Sequence, residues 1–273
     1  MGKYNTDNKK LNVNDFQHPL DKAAVDAVVA IPGFTKLLNY ISEHSVERVY
    51  GFINNSSRLK LTKEMSPLIF SMISEAGEMF QIEETPSVYL ERSYEYIVTL
   101  EGIKNPYIIF TTSYLEGVGE EMLWPVIASE FAGIQSKHAM IKFIDVILKN
   151  ARGALPFGID MVLDLAMNNW YRNRAYTYDR AVLLASEDFE LTAKHILMGE
   201  AADEVLDSIG LGRPDNPYME QTSEFLQRNG IDGIYQKFST AFTRSQWAAS
   251  RYAELYNWYQ SGAYHDVLER SVT

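Results

Sequence analysis

Apolar residues recur at helical spacing in the first third of the chain. This spacing predicts helices over residues 22–30 and 34–44, and a further helix that begins at Ser66-Pro67 and ends near Phe80. Asp21 is a suitable N-cap for the first of these helices, and Pro32-Gly33 follows its last apolar residues. We therefore predict a helical region over residues 15–80.

The pattern changes between residues 87 and 112, where β-branched and aromatic residues become dense. Three runs are rich in Tyr, Val, Ile and Thr, and they cover residues 87–91, 94–100 and 107–112. Gly102 and Asn105-Pro106 separate the last two runs. This composition favours a small antiparallel sheet.

From Glu120 onward the hydrophobic pattern is helical throughout. The predicted helices cover residues 120–148, 154–186, 189–198, 200–209, 218–229, 236–242 and 244–261. No low-complexity linker or fixed repeat divides the chain, which favours a single α+β domain over residues 15–273. Residues 1–14 contain almost no apolar surface, so we predict a flexible N-terminal tail.

Composition excludes several classes of function. The 273 residues carry a formal net charge of -11, with a pI near 5.0, which disfavours binding to nucleic acid or to an acidic membrane surface. No apolar run approaches the roughly 20 residues of a membrane helix, and the polar N-terminus lacks the apolar core of a signal peptide. The chain has no cysteine, which excludes disulfides, thiolate zinc ligands and a cysteine nucleophile. We therefore expect a cytoplasmic protein without membrane insertion.

Four segments, in order along the chain, resemble the motifs of one enzyme family. They are residues 16–21 with 31–34 (FQHPLD and IPGF), residues 106–113 followed by 126–138 (PYIIFTTS and VIASEFAGIQSKH), residues 170–185 (WYRNRAYTYDRAVLLA), and residues 251–258 with 261–264 (RYAELYNW and SGAY). With these segments the chain resembles a soluble, stand-alone bacterial member of the HtpX and CAAX-prenyl-protease type of zinc metallopeptidases, in the gluzincin clan. The resemblance implies a mainly helical, zincin-like α+β fold, with the small sheet next to the metal-binding helix.

All three zinc-ligand positions implied by the resemblance have lost their ligands. In an H-E-x-x-H helix two histidines hold the metal and the glutamate activates a water molecule. The two histidines correspond here to Ser129 and Gly133, and the downstream glutamate ligand corresponds to Ala175, whereas the general-base glutamate persists as Glu130. Glycine and alanine have no side-chain donor and a serine hydroxyl is a poor zinc ligand, so we expect neither a metal nor another cofactor.

The resemblance also implies supporting residues and a peptide groove. Asp179 and Arg180 match positions that support the ligands and pack the helices, and His138 matches a position outside the ligand set. In the active enzymes an edge strand pairs with the peptide substrate. The candidate groove residues in this chain are Tyr94, Tyr96, Ile97, Val98, Thr99, Tyr176 and Tyr178. The tyrosines have an alternative role as ordinary packing residues.

Other catalytic arrangements find little support in the sequence. No two of the five histidines lie within one helical turn of each other. Ser129 and His138 lie on one predicted helix, but nine residues correspond to roughly 13 Å along its axis, which is too far for a hydrogen bond unless the helix breaks.

These observations predict a catalytically inactive, metal-free metallopeptidase homologue that binds a peptide or protein segment in the former substrate cleft. It would act as a regulator, an adaptor or an accessory factor. One alternative is a hydrolase or peptide-modifying enzyme with an active site rebuilt around Glu130, His138 and Asp179. Another is an assembly subunit that makes its contacts through the helical second half. The sequence does not specify an oligomeric state.

Overall fold

The computed structural model describes residues 9–43, 46–150, 159–201, 203–213, 215–227 and 247–271. The first helices are α1 (Val13–Phe16), α2 (Pro19–Val29), α3 (Phe34–Glu43), α4 (Val46–Ser57) and α5 (Pro67–Met79). The strands are β1 (Leu59–Lys60), β2 (Ser87–Glu91), β3 (Val98–Glu101) and β4 (Tyr107–Thr111). The later helices are α6 (Thr112–Gly117), α7 (Glu120–Gln135), α8 (His138–Asn150), α9 (Ile159–Ser186), α10 (Phe189–Leu197), α11 (Asp203–Ile209), α12 (Pro217–Leu226), α13 (Ala248–Gln260) and α14 (Ala263–Ser271). The predicted α+β class is confirmed.

The four described strands form one mixed sheet in the order β1-β2-β4-β3. β1 pairs with β2 and β3 pairs with β4 in antiparallel fashion, but β2 and β4 run parallel. The expectation of an antiparallel sheet is therefore wrong for this central pair. β3 also begins at Val98, later than predicted, and the segment before it is held by the side chain of Thr111, which accepts from the Ile97 amide at 3.2 Å.

Helix α7 is the central element of the fold. All of its residues from Met122 to Gly133 are buried, and it packs on the 28-residue helix α9, on α5, α8 and α10, and on β3. A helix with no exposed face over these turns belongs to the interior of the protein. The positions that the resemblance assigns to the zinc-binding motif, Ser129 and Gly133, therefore lie in the core.

The predicted helix over residues 120–148 is broken into α7 and α8. Helix α7 ends at Gln135 with Ser136 as its C-cap, Lys137 has a left-handed φ of 61°, and α8 starts at His138. Ser129 and His138 consequently lie on different helices. They still do not pair, because the Ser129 hydroxyl donates to the Val126 carbonyl at 2.8 Å and the His138 ring bonds to Asp21.

The N-terminal segment is structured from residue 9 onward, which corrects part of the predicted flexible tail. Leu11 is fully buried and its amide donates to the Met79 carbonyl at 2.8 Å. Lys9 is also buried; its ammonium group donates to the Leu184 carbonyl at 2.9 Å and pairs with Glu187. Residues 1–8 lie outside the described residues, as does the predicted helix over residues 236–242.

Two further predictions for the first helices need correction. Helix α4 was not predicted. Helix α2 is capped by His18, whose Nδ1 accepts from the Leu20 amide at 3.1 Å, and Pro19 occupies the first turn. Asp21 is therefore not the cap but a buried residue inside the helix.

Across the described residues, no helix has both the length and the apolar character needed to cross a bilayer.

Candidate functional site

Gly133 is the position that the resemblance assigns to the second histidine ligand, and its surroundings leave no space for a side chain. A Cβ atom added at Gly133 would come within 2.6 Å of the Tyr178 hydroxyl oxygen and within 2.9 Å of Cδ2 of Leu100. Both distances are below any normal contact. Tyr178 from α9 and Leu100 from β3 therefore fill the space in front of α7 from two sides.

The other two ligand positions do not supply a metal donor set either. The Ser129 hydroxyl is buried and donates to the Val126 carbonyl of its own helix, and Ala175 has no donor atom. Within the part of the chain that the structure describes, no cluster of three or more His, Cys, Asp or Glu side chains could hold a metal ion. The residues at these positions do not fit a zinc ion in the family manner.

Glu130, one residue after Ser129, is a buried carboxyl group in which one oxygen has no hydrogen-bond partner. It is 6% exposed, and its Oε2 atom has no partner in the described structure. Burial raises the pKa of Glu130, although the positive charges of Lys142 and Arg174 act in the opposite direction. A buried carboxyl with an unpartnered oxygen is costly when ionised, which argues against a purely structural role.

Arg174, the residue before Ala175, lies over the aromatic side chains of α9. Its guanidinium carbon is 5.4 Å from the ring centre of Trp170, 4.8 Å from that of Tyr171 and 5.3 Å from that of Tyr178. Its Nη1 atom donates to the Tyr178 hydroxyl at 3.4 Å. The cation is therefore held against the same tyrosine that occupies the space beside Gly133.

Lys142 on α8 is a second cation near Glu130. Burial lowers the pKa of Lys142 to about 8, and the charge of Arg174 lowers it further, while Glu130 and Glu101 act in the opposite direction. The sequence did not single out Lys142 or Arg174. Arg174 is the neighbour of Ala175, which the resemblance assigns to the third ligand position, whereas a lysine in an amphipathic helix gives no such indication.

His138 belongs to a buried network that connects three helices. Its Nε2 atom lies 3.0 Å from Oδ2 of Asp21, which also accepts from the Thr177 hydroxyl at 2.7 Å. Burial alone would raise the pKa of Asp21, but the interactions with His138, Thr177 and Gln17 lower it overall. This network joins α2, α8 and α9 through the side chains of Asp21, His138 and Thr177.

Asp179 and Arg180 take part in two other ion pairs. Arg251 from α13 binds both carboxylate oxygens of Asp179, at 3.0 and 2.6 Å. Arg180 donates to Glu254 at 2.9 Å, and the same Glu254 oxygen lies 2.9 Å from Nε2 of His18. Both pairs connect α9 to α13. No hydrogen bond among the described residues joins Glu130 to His138 or to Asp179, so the three residues of the rebuilt-enzyme alternative do not form a connected group.

The candidate groove residues lie in several different parts of the structure. Tyr94 is 95% exposed, and Tyr96 packs on Tyr114 with ring centres 4.8 Å apart. Val98 and Thr99 lie on β3, preceded by the exposed Ile97. Tyr176 packs on His18 at 4.9 Å, whereas Tyr178 lies 5.4 Å from the His138 ring. Tyr178 and β3 are thus at the Gly133 site, and Tyr176 contacts a different part of the structure.

Comparison with known proteins points to a peptidase relative. Over 272 residues the chain is 23% identical to the plastoglobule-localized metallopeptidase 48, chloroplastic, of Arabidopsis thaliana, a match that covers 96% of this chain and 77% of that protein. No family model and no solved structure matches the chain. The relative's chloroplast location does not test the predicted cytoplasmic one, which stays a prediction. The chain is therefore similar, along nearly its whole length, to a metallopeptidase.

Proposed function

We propose that this chain is a catalytically inactive, metal-free metallopeptidase homologue that binds a peptide or protein segment in the former substrate cleft. The surroundings of Gly133 carry the proposal. The second ligand is not merely replaced, because the space for its side chain is filled by Tyr178 and Leu100. Together with the missing donors at Ser129 and Ala175, this leaves Glu130 without a metal-bound water to activate.

Metal analysis of the purified chain tests the inactive part of the proposal. After incubation with zinc and dialysis, mass spectrometry should detect far less than one zinc per chain; one zinc per chain would contradict the proposal. The variant Ser129→His/Gly133→His/Ala175→Glu should also bind poorly, because Tyr178 and Leu100 block the new histidine. Adding Tyr178→Ala and Leu100→Ala, which removes both obstructions, should restore zinc uptake. Failure of both folded variants to bind zinc would show that the metal positions are wrongly assigned.

The position of β3 supports binding by strand addition. β3 is an edge strand of the sheet, and its second edge pairs with no other strand in the described ranges. The Thr111 amide donates to the Ile97 carbonyl at 3.2 Å, so in an antiparallel ladder Thr99 is the next residue bonded to β4. The backbone groups of Val98 and Leu100 therefore point away from β4. Leu100 is 0% exposed, so an extended peptide would pair at Val98.

A proline substitution at this edge tests the peptide-binding part. A random decapeptide library is selected on the full chain, and the affinities of the selected peptides are measured by fluorescence anisotropy. Val98→Pro removes only an outward amide, so it should weaken binding at least about tenfold while the fold is kept. Lys60→Pro is the matched control, because Lys60 also points outward, on β1 at the opposite edge. Equal affinities for Val98→Pro and the wild type, or loss of binding only in Lys60→Pro, would contradict binding at β3.

A further inference from the structure

We propose that a cavity beside the last turn of α5 binds a small organic cation, a protonated amine attached to an apolar group. The cavity has a volume of about 500 Å³, which is within the range of small-ligand sites. The residues that decide what it can bind are Ile73, Gly77, Glu78, Ile82, Glu83 and Phe131. None of its lining residues belongs to the zinc-ligand positions or to the candidate groove, so this inference does not depend on the proposed function.

The inner wall of the cavity is apolar. It is formed by Ile73 on α5 and Phe131 on α7, which are both buried, and by the half-buried Ile82, which packs against the main hydrophobic core. Gly77 adds no side chain, and a Cβ atom at this position would lie 3.7 Å from Cε1 of Phe131. The backbone of α5 therefore approaches the Phe131 ring closely, and the apolar part of a ligand would be buried against this wall.

The turn that follows α5 is fixed by backbone hydrogen bonds, so the cavity is formed before a ligand binds. The Ile82 amide donates to the Gly77 carbonyl at 2.8 Å, and the Gln81 amide donates to the Glu78 carbonyl at 3.4 Å, with Gln81 at a left-handed φ of 55°. This is the Schellman arrangement of a helix end. A preformed site loses less conformational entropy on binding than a flexible loop does.

The charges around the cavity favour a cation. Glu78 and Glu83 are exposed, and their carboxylates form no hydrogen bond or ion pair with another described residue. Lys10 is the cation that lines the cavity, and its ammonium group donates to the Glu78 carbonyl at 3.0 Å. Two carboxylates thus outnumber one lysine, and the C-terminal end of α5 adds partial negative charge. An acidic ligand would be repelled by both.

A protonated amine matches both features of the cavity. Its N–H groups can donate to the carboxylates of Glu78 and Glu83, which only accept hydrogen bonds when they are ionised. Its apolar group can contact Ile73 and Phe131. A free arylalkylamine and the lysine side chain of another protein both present this chemistry.

The experiment titrates four probes into the full chain and follows the isoleucine methyl signals by NMR. Phenethylamine represents a free amine, N-acetyl-lysine amide represents a lysine side chain, and phenethyl alcohol and hydrocinnamate are the neutral and acidic counterparts of phenethylamine. At least one amine should shift the Ile73 and Ile82 signals saturably, with a Kd of about 1 mM or lower, and should leave the buried Ile144 on α8 unchanged. The alcohol should bind at least about fivefold more weakly, and the acid should not bind. The amine with the lower Kd identifies the source.

Charge variants test the role of the two carboxylates. Glu78→Gln/Glu83→Gln should weaken amine binding at least about fivefold, as expected for two exposed charge pairs. Glu84→Gln is the matched control, because it removes an exposed neighbouring carboxylate that does not line the cavity, and it should change the Kd less than about twofold. Lys10→Gln removes the competing cation and should not weaken binding.

A filling variant tests the position of the site. Ser74→Trp places a large side chain at an exposed lining position of α5 and should weaken amine binding at least about tenfold. Ser208→Trp makes the same change at an exposed position of α11 and should have no effect. If Ser74→Trp does not fold, Glu78→Gln/Glu83→Gln decides.

Several results would overturn the cation site. They are the absence of saturable shifts with either amine, equal affinity for the alcohol or the acid, and an unchanged Kd in Glu78→Gln/Glu83→Gln or in a folded Ser74→Trp. None of these results bears on the metal and peptide experiments, because neither β3 nor the zinc-ligand positions line this cavity.

Discussion

At the scale of single residues, the space beside Gly133, the position that the resemblance assigns to the second histidine ligand, is filled by neighbouring side chains. Glycine is unfavourable inside a helix by about 1 kcal/mol relative to alanine. At Gly133 this cost accompanies a close approach, because the Tyr178 hydroxyl reaches the position of a Cβ atom. Gly51 in α4 provides a comparison, since a Cβ atom there would meet nothing within 4 Å.

We predict opposite effects of alanine at these two glycines. Gly51→Ala should raise the free energy of unfolding by about 0.5–1 kcal/mol, because helix propensity improves without a clash. Gly133→Ala should lower it, because overpacking costs about 1–3 kcal/mol and exceeds that gain. The loss should be smaller in a Tyr178→Phe background, which removes the closest atom. Urea denaturation measures all four variants; an increase in stability for Gly133→Ala alone would mean that Tyr178 does not occupy this space.

Glu130 gives a prediction about pH. Because burial raises its pKa, ionised Glu130 destabilises the folded state, and stability should fall as the pH rises from the ordinary carboxyl value of 4.5 through the raised one. Glu130→Gln should therefore be more stable than the wild type at pH 7 by about 1–3 kcal/mol, with little difference below about pH 4.

Denaturation at a series of pH values checks this expectation for Glu130. The exposed Glu84→Gln is the control and should follow the wild type at every pH. A lower stability of Glu130→Gln at neutral pH would mean that the Glu130 carboxylate is favourably paired with Lys142 and Arg174.

At the scale of elements, helix α9 connects the site to the rest of the fold. Tyr178 contacts α7, Thr177 bonds to Asp21 on α2, and Asp179 bonds to Arg251 on α13. Three successive residues thus reach three different helices, as the 100° rotation per residue allows. The sequence predicted α9 and its association with the site, but it could not assign the partners, because Asp21 and Arg251 are distant in sequence.

The Asp179–Arg251 pair should be among the strongest contacts of α9. The Asp179 side chain is 1% exposed, and burial raises its pKa in spite of the arginine. Arg251→Gln leaves this carboxylate without its partner and should lower the free energy of unfolding by about 3–5 kcal/mol. Lys194→Gln breaks an exposed pair with Asp207 and should cost less than about 1 kcal/mol. Similar losses for the two variants in chemical denaturation would contradict the central role of this pair.

Element boundaries show where sequence patterns stop being informative. The break between α7 and α8 depends on a left-handed Lys137, and no glycine or proline marks it. The parallel pairing of β2 with β4 depends on the insertion of β3 at the outer edge, an arrangement that local composition does not encode. Regular helices such as α5, by contrast, follow directly from their apolar spacing and their first-turn proline.

At the scale of the whole molecule, the first described residues connect the last helix, α14, to the end of α5. The Lys10 amide donates to the Ser271 carbonyl at 3.1 Å, and the Leu11 amide donates to the Met79 carbonyl. A segment with few apolar residues looked flexible from sequence because its composition is polar. The structure instead buries the aliphatic part of this segment, and it compensates the buried Lys9 charge with Glu187 and a backbone carbonyl.

This arrangement predicts that Leu11 is a core residue of the domain. Leu11 is 0% exposed within the main hydrophobic core, so Leu11→Ala should lower the free energy of unfolding by about 2–5 kcal/mol through lost burial and the cavity left behind. Leu20→Ala is the matched control, because that side chain is 54% exposed and should cost less than about 0.5 kcal/mol. If urea denaturation gives Leu11→Ala the stability of the wild type, the segment is not packed as described. A large loss would instead establish that the N-terminal segment folds with the helices around α7, which would make it part of the support for the site.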